Sequence, residues 1–196
     1  MHTLSEAITS HLRQSISVKE KTLQTCTQDI RLAIEWIVSA FRNQRKLLIC
    51  GNGGSAADAQ HIAAEFVVRL THNLSRPALP AIALTTDSSI LSAGGNDIGF
   101  VHVFSRQIEA LGQTDDLLLA ISTSGNSPNI LEALATARNQ HMKSIALLGN
   151  DGGKAKSMAD LSIVVPSDST QHIQETHITI GHILCEQVER ILFVGD

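Results

Sequence analysis

The sequence predicts an α/β protein, a three-layer sandwich with a central parallel five-stranded sheet flanked by helices and a helical pair ahead of the first strand. Three observations carry this. The apolar runs KLLIC (46–50), PAIAL (80–84), DLLLAIS (116–122), KSIALLG (143–149) and LSIVVP (161–166) are short and continuous, as in strands buried on both faces. Segments with helical spacing separate them, which is the βα alternation of a parallel sheet. The chain has 196 residues, 43% of them hydrophobic, enough for one domain, 1–196, with a two-sided core.

The elements follow in order. LSEAITSHLRQSI and DIRLAIEWIVSAF both place apolar residues at helical spacing, and TCTQD between them offers a cap at Thr27 or Asp29. Two helices therefore fill residues 1–44, and the α/β core fills 45–196. Trp36, Ile37 and Phe41 in the second helix either pack on a neighbouring subunit or cover the sheet of the same chain. Helices are then expected in SAADAQHIAAEFVVRL, VHVFSRQIEALG, SPNILEALATARNQ and GKAKSMA, and in a long last one from about Gln171 to Phe193. THNLSRPALP and GNDGG read as loops.

Composition removes several function classes. Aromatic residues make up 3%, Tyr is absent, the net charge is −4 and no basic block occurs, so no nucleic-acid partner is expected. Cys26, Cys50 and Cys185 form no CxxC pair, which suits a reducing compartment. No apolar run reaches membrane-spanning length, and MHTLSEAITSHLRQ lacks the basic-then-apolar order of a leader. The expectation is a cytoplasmic protein with no membrane partner.

In open parallel sheets, ligands bind beyond the carboxyl ends of the strands, so the residues that follow each strand are the informative ones. GNGGS follows the first, TTDSS the second and STSGNS the third. Gly51, Gly53 and Ala56 match the loose pattern G-x-G-x-x-G/A of dinucleotide sites, but the acid needed about twenty positions on is missing from Arg69–Arg76. Asp87 is the next acid in a suitable place. A tight turn without ligand is the plain alternative. Asn52 and Ser55 favour a third reading, because they add side-chain donors to a helix N-terminus, which suits a sugar hydroxyl or an oxyanion.

Ser122, Thr123, Ser124, Gly125, Asn126 and Ser127 lead into a helix starting at Pro128, which puts Ser127 at the cap. Several hydroxyls, a glycine and a helix N-terminus suit one phosphate monoester held by neutral donors. The G-K-[ST] of a nucleotide loop is missing.

His61 and Glu65 stand at i and i+4 on one helix face, next to Ala59, Ile62 and Ala63. A carboxylate on so apolar a face needs a partner, a proton or a metal, unless the pair is simply exposed. The last helix repeats the theme: Gln174, Ile178 and His182 step by four. An imidazole, a carboxylate, a second imidazole and an amide oxygen could surround one divalent ion, and such donors are compatible with zinc. His177 competes with His182 for this role, and either histidine could instead be an ordinary core or surface residue.

Taken together, GNGGSAADAQHIAAE, PAIALTTD, GGNDIGF, ISTSGNSPN, LLGNDGGK and HIQETHITIGHILCEQVE resemble the sugar isomerase (SIS) family and, within it, the phosphoheptose isomerases. The resemblance covers nearly everything from Lys46 to Glu189; the first forty residues match only as a helical region. It implies a single SIS domain, with residues 1–44 serving oligomerisation into a homotetramer and 45–196 binding a phosphorylated seven-carbon sugar. It implies metal ligands at His61, Glu65, Gln174 and His182 around one zinc ion, with Glu65 and His182 catalytic. It implies substrate contacts at Asn52, Gly53, Gly54, Asn96, Asp97, Ser122, Thr123, Ser124 and Ser127, with Ser55, Glu65 and Gln174 beside them.

The activity so implied is isomerisation of D-sedoheptulose 7-phosphate to D-glycero-D-manno-heptose 7-phosphate through an enediolate, the first step of ADP-heptose synthesis for the lipopolysaccharide core. Some relatives instead bind the replication initiator protein DnaA without catalysis. Others are phosphosugar sensors attached to DNA-binding domains. The carboxylate at position 65 separates the enzyme from the binding-only reading, because proton abstraction needs it.

Overall fold

Leu47–Gly51 (β1) and Leu117–Ser122 (β3) are buried along their whole length, as strands covered on both faces must be. They pair in parallel with each other and with Ala81–Ala83 (β2), Lys143–Leu148 (β4) and Leu161–Val164 (β5) in the order β2-β1-β3-β4-β5. This computed structural model describes residues 3–71 and 74–195; His72 and Asn73, part of the expected THNLSRPALP loop, lie outside the described residues.

Among the described residues seven α-helices accompany the sheet: Leu4–Arg42 (α1), Gly54–Val67 (α2), Ser88–Asp97 (α3), Ser105–Leu111 (α4), Pro128–Asn139 (α5), Ala155–Met158 (α6) and Thr170–Phe193 (α7). Alternation along the strands divides the core in two. Leu47, Ile49, Leu119 and Ile121 face α1, α2 and α7, whereas Leu48, Cys50, Leu118 and Ala120 face α4, α5 and α6. The three-layer α/β/α sandwich expected from the sequence is the one observed.

The N-terminal helical pair is corrected: α1 is a single helix of 39 residues, opened by a capping box in which Thr3 and Glu6 bond reciprocally. TCTQD does not interrupt it. Thr22, Thr25 and Thr27 each donate a hydroxyl hydrogen to the carbonyl four residues back, so their polar groups are satisfied within the helix and do not cap a new one. The C-terminal half of α1 covers the sheet of its own chain. Ile37 is fully buried, Phe41 packs edge-on against Phe66, and Lys143 Nζ lies 4.7 Å from the centre of the Trp36 ring. Truncating Ile37 to alanine would cost about 2–5 kcal/mol by cavity formation.

Helix α3 was not expected. SSILSAGGND has two glycines and buries no residue, so neither propensity nor periodicity marks it. Asp87 starts it, accepting the Ile90 N–H at 2.9 Å. The acid considered as a ribose partner is thus a helix cap.

Candidate active site

The chain runs from β1 outward to β2, then returns to place β3 on the other side of β1. The connections leaving the carboxyl ends of β1 and β3 therefore diverge, and a crevice opens between them. Both of the loops singled out by sequence border it. A bridge spans it: Asn52 and Asn129 exchange two amide hydrogen bonds, of 2.9 and 2.8 Å. Asn129, at the start of α5, is a site residue the sequence reading missed.

The turn after β1 has little room. A side chain on Gly51 would meet the Ser55 carbonyl oxygen at 2.4 Å, and Gly53 adopts φ 55° as the N-cap of α2. No side chain caps α2 there, which leaves its N-terminus available to a ligand's oxygens. Ser55 is buried beneath the turn.

The serine loop is held from both ends. Ser122 Oγ accepts the Gly125 N–H at 3.1 Å and lies 3.5 Å from Ser127 Oγ. Ser124 Oγ accepts the Asn126 N–H, and the Asn126 side chain donates back to the Ser124 carbonyl. The GNDGG loop then braces it: Asn150 donates to the Thr123 carbonyl at 2.9 Å, and the Lys154 N–H donates to Asn126 Oδ1. Ser127 is the N-cap of α5, with Pro128 next, but its hydroxyl does not close the cap. Ser124 and Asn126 are exposed, so this preformed turn presents hydroxyls and a free helix N-terminus to solvent.

Two to three turns into α2 the titratable groups gather. His61 Nε2 lies 3.0 Å from Glu65 Oε1, and His182 Nε2 on α7 reaches to 3.3 Å from His61 Nε2. The three donor atoms sit within 4.8 Å of one another, close enough to serve one ion. Glu65 Oε2 is buried and has no hydrogen-bond partner, so half of the carboxylate is unsatisfied. Gln174 lies against the start of α2, where an added Cβ on Gly54 would stand 2.5 Å from its Nε2. The absent side chain at position 54 is what admits it.

His177 turns the other way. It is completely buried, and its Nε2–H donates to the Leu148 carbonyl at 2.9 Å. Burial pushes its pKa down to about 4. It is a core residue, whereas His182 stands beside His61. Asp58 was overlooked in the sequence, although it lies one turn before His61. Its Oδ2 is buried without a partner, and burial pushes its carboxyl up to about 6 against the opposing pull of His61 and His182. Asn96 and Asp97 close α3, exposed and bonded to each other at 2.6 Å; no hydrogen bond or ion pair joins them to the histidine–glutamate group among the described residues.

The chain is similar to known proteins along nearly its whole length. The SIS domain family model matches residues 10–149. A phosphoheptose isomerase of Chlorobaculum parvum is 51% identical over 188 residues, covering 95% of this chain and 90% of the relative. Among solved structures, the phosphoheptose isomerase of Neisseria gonorrhoeae superposes with a TM-score of 0.90 at 44% identity, covering 95% of this chain and 99% of that one. The one from Francisella tularensis gives 0.92 at 41%, covering 96% and 100%. With so much of both chains shared, and the sheet order and crevice in place, the chain belongs to the phosphoheptose isomerases, isomerase enzymes built on the SIS domain.

Proposed function

We propose that the chain converts D-sedoheptulose 7-phosphate to D-glycero-D-manno-heptose 7-phosphate, and so feeds ADP-heptose synthesis for the lipopolysaccharide core. The observation that carries this reading is the meeting of His61, Glu65 and His182 across α2 and α7, two to three turns beyond the glycine turn of the crevice. The reaction moves a carbonyl from C2 to C1. Glu65 takes a proton from C1, and the electron pair left behind forms the C1–C2 double bond of an enediolate while O2 becomes an alkoxide. Protonation at C2 and transfer of the O1 proton to O2 then give the aldose, with His182 relaying protons at the oxygens and C2.

His61, Glu65 and His182 fit a nitrogen- and oxygen-preferring divalent ion, because the unsatisfied Glu65 oxygen calls for a cation beside two imidazoles. With Gln174 as a fourth ligand they would hold zinc, which when bound supplies Lewis acidity toward the substrate oxygens. Asn52, Gly53, Gly54 and Ser55 would receive hydroxyls at the N-terminus of α2, and Asn96 and Asp97 would orient others. Ser122, Thr123, Ser124 and Ser127 would hold the phosphate, far from the reacting carbons, so that binding energy spent there positions C1.

We further propose that residues 1–44 assemble the chain into a homotetramer. Leu4, Ile8, Leu12 and Ile16 recur every four residues along α1 and all stand exposed, which supports burial of that stripe against another copy. No helix of the described residues is long and apolar enough to cross a membrane, which supports a cytoplasmic setting for a soluble phosphosugar. Retention of Glu65 among assembled donors favours catalysis over a DnaA-binding regulator.

The test is to incubate the purified chain with sedoheptulose 7-phosphate, with chelator and then with added zinc. The expected result is an aldose heptose phosphate whose formation stops with chelator and resumes with zinc. Binding of the initiator protein without any aldose product would overturn it.

A further inference from the structure

A second group of metal-type donors lies toward the N-terminal end of α7, where Glu175 stands about two turns before His182. His11 on α1 and His172 and Glu175 on α7 bring their donor atoms within 4.8 Å of one another. His11 Nε2 is 3.3 Å from Glu175 Oε1, and His172 Nδ1 is 3.4 Å from Glu175 Oε2. The two imidazole rings are stacked at a tilt, with centroids 4.5 Å apart. His172 is buried, whereas His11 is exposed, so an ion could enter from the α1 side.

These separations discriminate between two kinds of bonding. They are long for a charged N–H···O hydrogen bond, which prefers about 2.7–2.9 Å. Each suits a nitrogen and an oxygen on one ion, since bonds of about 2.0–2.1 Å place tetrahedral neighbours roughly 3.3 Å apart, and because the two distances end on different oxygens of Glu175 the carboxylate would bind through both or turn to offer one. The supporting contacts are of the kind that orient a ligand. Ser15 Oγ–H donates to Glu175 Oε2 at 2.6 Å, and Lys19 Nζ donates to Ser15 Oγ at 2.9 Å. Ser15 is itself buried, so the carboxylate is steered from within the helix interface. Lys19 is the one cation in this chain of contacts; it reaches Ser15 and leaves Glu175 Oε1 to His11.

We propose that His11, His172 and Glu175 form a divalent transition-metal site that clasps the N-terminal half of α1 to α7, separate from the candidate active site. Its ligands, two imidazoles and a carboxylate, select zinc, cobalt or nickel over magnesium or calcium. The site is a cross-link between segments far apart in the chain, so occupancy stabilises the folded state by mass action.

The test uses the full chain, stripped with chelator and then titrated with zinc alone. A variant with His61→Ala and His182→Ala removes the imidazoles of the active-site group and isolates the clasp. That variant is expected to bind a zinc ion and to melt at higher temperature with zinc than without. Adding His11→Ala should abolish both effects. His11→Ala also removes the ring packed on His172, so circular dichroism verifies the fold and the zinc effect is read against each variant's own metal-free melting temperature. In the otherwise native chain, His11→Ala should lower zinc content by one ion per chain and leave isomerase turnover per remaining zinc unchanged. The proposal is overturned if the double variant binds no zinc, or if its zinc content is indifferent to His11→Ala.

Discussion

Gln174 occupies the space that a side chain at Gly54 would fill: the added Cβ would approach its Nε2 to 2.5 Å. Two residues 120 positions apart are thus complementary, one by its length and the other by its lack of a side chain. Gly54→Ala should therefore behave unusually. Alanine is the better helix former by about 1 kcal/mol, and the displaced atom is the far end of a flexible side chain, so the melting temperature should hold or rise. Turnover and zinc affinity should fall, because Gln174 must move. Melting curves and zinc titration of the same preparation check both halves.

Glu65→Gln keeps the shape of the site and removes the carboxylate proposed as its base. Turnover should drop about 100- to 10,000-fold, the usual worth of a positioned general base. Binding of sedoheptulose 7-phosphate, followed by calorimetry, should survive, since the phosphate contacts are untouched.

Ser124→Ala removes one hydroxyl from the loop and also the acceptor of the Asn126 N–H. Loss of a hydrogen bond to a charged group costs about 1.5–3 kcal/mol. KM for the phosphorylated heptulose should rise roughly 10- to 100-fold, while reaction of the unphosphorylated sugar, which lacks the anchored group, should be indifferent to the change.

His177 makes stability depend on pH. Its folded pKa of about 4 lies below the ordinary 6.5, so the unfolded chain takes up the proton first. Its contribution is intact above pH 6.5 and is lost as pH falls toward 4. Urea midpoints should decline across that window, and His177→Gln should flatten the decline.

The residues explain how far the sequence could be read. Buried parallel strands announce themselves as unbroken apolar runs, so all five were legible, and the loops after β1 and β3 followed from them. The i, i+4 step of His61 and Glu65 survives folding because it is a property of one helix. What the sequence hid was partnership. Thr27 looks like a cap, but its hydroxyl bonds to Leu23 within a continuous helix. Asn129 gains meaning only when the sheet places it opposite Asn52. His177 and His182 are alike in sequence, and only the rotation of α7 sends one into the core and the other toward His61.

The central claim is that the Glu65 carboxylate removes the C1 hydrogen. Its most direct measurement is exchange of that hydrogen in heavy water, followed by NMR of the sugar phosphate at equilibrium. The native chain should place solvent deuterium at C1 of the ketose and C2 of the aldose, and Glu65→Gln, with its phosphosugar binding intact, should place it at neither. Exchange by that variant at the native rate would contradict the account.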